Sequence, residues 1–112
     1  MKPIIRNLAP HDVNIIEDGK TKRVIKADGV IARAKQFNTP CGELDGIPLI
    51  RMEFGEPENL PDPEPNVYLI VSLATAQAAI KSGRTTDDLL LTSLPVRDEK
   101  GQIIGCESLS VV

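Results

Sequence analysis

Short apolar and β-branched runs alternate with turn pairs along most of this chain. Val13-Asn14-Ile15-Ile16 and Thr21-Lys22-Arg23-Val24-Ile25 flank Asp18-Gly19. Glu43-Leu44 and Ile47-Pro48-Leu49 flank Asp45-Gly46. Asp and Gly tolerate the positive φ of a tight turn, so each pair predicts a hairpin. Asp28-Gly29 carries the same signal ahead of a strand from Val30 to Phe37. Asp98-Glu99-Lys100-Gly101 supplies a fourth turn, between Pro95-Val96-Arg97 and Gln102-Ile103-Ile104. Phe37-Asn38-Thr39-Pro40-Cys41-Gly42 reads as a loop. Ile50, Met52 and Phe54 alternate with Leu49, Arg51 and Glu53, the period of a half-buried strand with one wet face.

The second half breaks this rhythm twice. Glu56 to Pro65 holds four prolines and four acids, which predicts a stiff, extended surface loop. Val67 to Val71 is continuously apolar, as a central strand would be. Ser72 then suits an N-cap, and Leu73, Ala76, Gln77 and Ile80 recur at helical spacing. Lys81 and Gly83 suit the C-terminal end, so one principal helix is predicted near residues 73–82. Leu89-Leu90-Leu91 resumes a strand, and Cys106 to Val112 reads as a terminal one. The expected fold is mainly β (α+β): one hairpin-built domain over residues 1–112, with a barrel-like sheet as one way of closing it.

Composition narrows the function classes. The chain has 112 residues, 41% apolar and 26% charged, with a formal net charge of −3. That is an ordinary globular composition for one domain. The charge argues against a general binder of phosphate backbones. Lys20, Lys22, Arg23 and Lys26 form one basic stretch, but no aromatic residue is interleaved for base stacking. On a hairpin edge such lysines guard against aggregation. Two cysteines, Cys41 and Cys106, make no disulfide framework, and both are expected to be buried, free thiols. No leader pattern or membrane-length apolar run is visible, which suits a cytoplasmic protein.

Motifs for chemistry are sparse. Nucleophile elbows, P-loops, dinucleotide fingerprints and zinc-binding helices are all missing from the sequence. No cofactor or metal is expected. The single histidine, His11, lies beside Asp12 after Pro10. It is a candidate base or ligand contact, with a hydrolase using His11 and a carboxylate as one alternative. Equally, Asn7, His11 and Asp12 suit the satisfaction of backbone groups around the Pro10 turn. The Val71-Ser72 step is a second candidate. A strand feeding a helix leaves free N–H groups and a positive dipole end, which suit an anion. Arg33, Arg51, Arg84 and Arg97 are available to complete such a pocket.

Several blocks occur together: Asn7-Leu8-Ala9-Pro10-His11, Val30-Ile31-Ala32-Arg33, Gly42-Glu43-Leu44-Asp45-Gly46-Ile47-Pro48, Phe54-Gly55-Glu56-Pro57-Glu58-Asn59-Leu60-Pro61, Tyr68-Leu69-Ile70-Val71-Ser72 and Val96 to Ile103. In this ordered set the chain resembles a family of small, mostly uncharacterised phage and prophage proteins. Ala9 and Asn59 depart from that pattern, where Thr and Gly are usual. The resemblance implies a phage or prophage origin and transfers no activity. By analogy with small phage proteins that inhibit host defence, it implies a non-enzymatic homo-oligomer that sequesters a small anionic, nucleotide-like immune signal. Asn7, His11, Arg33, Tyr68, Ser72, Arg84 and Arg97 would then hold the ligand, with arginines on phosphates and His11 and Tyr68 at base or ribose. The alternative is a protein-interaction module that blocks a host protein through the rigid loop at Glu56 to Pro65.

Overall fold

The computed structural model describes residues 2–112. In chain order the elements are β1 (Ile4–Asn7), β2 (Val13–Glu17), β3 (Lys20–Ile25), β4 (Arg33–Leu44), β5 (Ile47–Glu58), β6 (Val67–Ile70), α1 (Leu73–Lys81), β7 (Leu89–Arg97) and β8 (Ile103–Val111). Six strands form one mixed sheet in the order β1-β6-β7-β8-β2-β3, and β4 pairs only with β5. The fold is therefore mainly β, built from hairpins, with one helix.

Three of the four turn signals make hairpins. Asp18 and Gly19 take φ of 52° and 76° between β2 and β3, and Asp45 and Gly46 take 50° and 79° between β4 and β5. Both residues at positive φ is what a two-residue hairpin turn demands. The Asp98 carboxylate closes the β7–β8 turn by accepting from the N–H groups of Lys100 and Gln102. Asp28-Gly29 does something else. Asp28 donates its N–H to Asn7 O at 2.8 Å, and its carboxylate takes both a 3.2 Å and a 2.8 Å bond from Arg6. The pair thus turns the chain out of the sheet into β4 and forms no hairpin.

Those contacts also close the sheet. β1 and β3 are its outermost strands, yet Asn7 bridges Ala27 just beyond β3, and Ala32 N–H reaches Leu8 O at 3.0 Å. The sheet curls until its ends meet, as the barrel-like expectation supposed. Inside the curl lie Val13, Ile25, Ile70 and Cys106. Outside it, α1 packs over Leu8, Ala32, Leu69, Val71 and Leu89. Leu69 and Ile70 point to opposite faces and both are buried, which explains the unbroken apolar run.

The helix starts where Ser72 caps it. Ser72 Oγ accepts from Thr75 N–H at 3.2 Å, and Ser82 and Gly83 end it, Gly83 at φ 87°. Its inward face differs from the expectation. Thr75, Ala76, Ala78 and Ala79 are buried, whereas Leu73 and Ile80 are 58% and 57% exposed. Small residues let the helix lie close to the sheet and to the base of β4–β5. Two further expectations are corrected. Phe37 to Gly42 is continuous strand within β4, and Cys41 is exposed while Cys106 is buried.

Candidate interaction site

The seven residues expected to hold a ligand do not form one pocket. Asn7 is 1% exposed and spends its whole amide on the fold. Its Nδ2 donates to His11 O (2.8 Å) and Ile25 O (3.0 Å), and its Oδ1 accepts from Ala9 N–H (3.0 Å). That is the backbone-satisfying role around Pro10. Arg84 is also committed. It donates to both Asp88 carboxylate oxygens at 2.9 Å, to Pro61 O at 2.7 Å and to Thr85 O at 2.8 Å. Arg97 donates to Gly101 O at 2.8 Å in the β7–β8 turn. Ser72 Oγ is occupied by the helix cap. Arg33 is exposed at the start of β4.

His11 and Tyr68 line different clefts. The larger, about 550 Å³, lies between the start of β2 and the β7–β8 hairpin, with His11, Asp12, Asn14, Thr92, Ser93 and Ile104 among its walls. No Lys or Arg lines it, so it offers an anion little beyond His11. Asp12 accepts from Ala27 N–H at 2.8 Å, and that bond, with Lys26 nearby, holds its carboxyl below the usual range. It is an anchor for the chain after β3 and lacks the raised pKa that suits a general acid. Tyr68 lines a cleft of about 410 Å³ with Pro63, Glu64, Pro65, Asp87 and Asp88, a wall rich in carboxylates. Among the described residues no group of three or more His, Cys, Asp or Glu stands ready for a metal. No described helix is long and apolar enough to cross a membrane.

The unexpected feature is the β4–β5 arm. Two 12-residue strands pair with each other and, among the described residues, with no third strand. Cross-strand partners point the same way. One face therefore carries Pro40 with Ile50, Asn38 with Met52, and Gln36 with Phe54. The other carries Phe37 with Glu53, Thr39 with Arg51, and Leu44 with Ile47. Phe37 lies across Gly55, where a Cβ would stand 2.8 Å from its ring, with Lys35 Nζ 5.3 Å from the ring centre. The alternation at Ile50, Met52 and Phe54 is as expected, but the burial is not. These three are 42–52% exposed, and Phe37, Leu44, Ile47 and Leu49 are also exposed.

The cost of this arm is visible in the whole molecule. The chain exposes 7990 Å². A compact monomer of this length would expose about 6,100 Å². Its radius of gyration is 16.7 Å, against about 13 Å for a compact domain of this length. Isolated two-stranded hairpins are marginal in water, and apolar patches beyond roughly 300–600 Å² mark interaction surfaces. Sequence reading missed this site because periodicity reports an apolar face without reporting what covers it.

Compared with family models, curated proteins and solved structures, the chain finds no match.

Proposed function

We propose that this protein is a non-enzymatic binding protein that works by docking its β4–β5 arm on a protein surface. The observation that carries the reading is the large exposed apolar area of an arm with no third strand. Its apolar residues sit on regular strands, so their burial against a partner costs little ordering entropy. A phage setting and an action against a host protein rest on the sequence blocks alone. The loop after β5 is less suited to be the contact element, because Pro61 O is held by Arg84 and Leu60 packs on the core. Sequestration of a nucleotide-like anion has weaker support, since Arg84 and Arg97 are engaged within the fold and the cleft that His11 lines has no Lys or Arg in its walls.

The test replaces Ile50, Met52 and Phe54 together with Thr, which keeps strand propensity and removes apolar area. Wild type and variant are compared by circular dichroism and by native mass spectrometry, both purified and after exposure to host-cell extract. A bound protein, a second copy included, that is carried by the wild type and lost by a folded variant fits the reading. Equal binding by both defeats it.

A further inference from the structure

We propose that the arm's partner is a second copy of this chain, joined edge to edge along β5 by a two-fold axis through Met52. This rests on the arm being a docking element, and it specifies what docks there.

The two edges of the arm are unequal. From Gln36↔Phe54 to Pro40↔Ile50 the ladder is regular. Proline lacks an N–H, so Pro40 fits only where residues exchange no ladder bonds. Ile50 opposite it therefore turns its N–H and C=O to the open side, as do Met52 and Phe54 at alternate positions. Consistent with this, the Phe54 carbonyl has a neighbour outside the β4–β5 ladder, Lys81 Nζ on α1 at 3.5 Å. On the β4 edge, Pro40 removes a donor, and an extra residue at Cys41 then interrupts the register. Such devices block strand addition. The β5 edge has neither from Leu49 to Phe54, and Pro48 and Pro57 lie outside that stretch.

That open edge is complementary to itself. In an antiparallel pairing about Met52, residues two apart across the axis face each other. Arg51 then stands opposite Glu53 of the second copy, and Glu53 opposite its Arg51. On the other face Ile50 meets Phe54 of the second copy, and the two Met52 side chains meet at the axis. Met52 exchanges backbone hydrogen bonds with its counterpart, and Ile50 with Phe54 of the second copy, displacing the long Lys81 contact. The product is a four-stranded sheet with the guarded β4 strands outermost. An isologous contact of this kind closes on itself and does not grow into fibres.

The experiment reads oligomeric state by sedimentation velocity over a range of protein concentrations. Wild type should dimerise. Arg51→Glu and Glu53→Arg each put like charges opposite one another twice, and each should weaken dimerisation about tenfold. Combining the two restores opposite charges and should bring the dimer back. Independently, Met52→Cys in a Cys41→Ser background should form a disulfide-linked dimer under mild oxidation, because directly opposed strand residues lie within disulfide reach. Arg51→Cys in that background, offset from its counterpart, should not. A monomer at every concentration, or a dimer indifferent to both charge reversals, overturns the proposal. If the wild type is monomeric yet binds another protein through Ile50, Met52 and Phe54, only the second-copy inference fails. If a dimer forms that neither the charge reversals nor the triple Thr variant weakens, both readings fail.

Discussion

Arg84 grips Asp88, four residues on, through two hydrogen bonds of 2.9 Å, nearly sealed from solvent, with side chains 12% and 11% exposed. The guanidinium reaches on to Pro61 O, so a single side chain ties the proline-rich loop to the segment entering β7. Asp88 in turn offers its backbone carbonyl to Leu69 N–H at 2.8 Å.

Removing Arg84 should therefore unfold rather than disarm. Arg84→Ala leaves the Asp88 carboxylate nearly buried without its partner, and a loss of about 3 kcal/mol is expected. Arg84→Lys should recover only part of it, because an ammonium cannot reproduce the planar fork. Urea denaturation of the three proteins checks the order.

Asn7 is expected to be as sensitive. Asn7→Ala strands Ala9 N–H and the carbonyls of His11 and Ile25, of which the last contact is fully buried. The cost is about 2–3 kcal/mol. Asn7→Asp keeps the acceptor, loses both donors and should be no better. Hydrogen exchange should show the loss first where β1 meets the chain after β3.

Acid should loosen the same seam. Arg6 bonds and attracts the Asp28 carboxylate, and Ala27 N–H, then Lys26, do so for Asp12, so both carboxyls are held below their ordinary range. A depressed carboxyl contributes stability that is complete above its unfolded value near about 4 and is lost as pH falls through the folded one. The urea midpoint should be flat above about pH 5 and decline below about pH 4. Asp28→Asn should lower the plateau and reduce that decline. An unchanged acid slope in Asp28→Asn would mean that other carboxylates carry it.

Gly105 leaves no room for a side chain between β8 and β2. A Cβ there would lie 2.6 Å from Asn14 O and 2.6 Å from Ile16 Cδ1, where β8 runs beside β2. Gly105→Ala should cost about 1–3 kcal/mol by forcing the two strands apart. The Asn14 Nδ2 bond to Ile104 O, 3.0 Å in the wild type, should lengthen with it in a crystal structure of the variant.

Much of this protein is local and was legible in the sequence. Asp18-Gly19, Asp45-Gly46 and the Asp98 turn fix hairpins because the φ they need is a property of those residues. Ser72 and Gly83 bound the helix for the same kind of reason. What the chain could not declare is which groups meet across long sequence distances. Asp28-Gly29 has hairpin chemistry, yet Arg6, 22 residues away, claims it for closing the sheet. Pro40 and Gly42 look like loop residues, yet an arm with open edges accepts both. The arginines read alike as free cations, but Arg84 found Asp88 and Arg97 found its own turn. Ile50, Met52 and Phe54 announced an apolar face, and only the tertiary arrangement left that face in water. Periodicity encodes which side of a strand is apolar, while burial depends on what the rest of the chain brings to it, and here Ile50, Met52 and Phe54 stay 42–52% exposed.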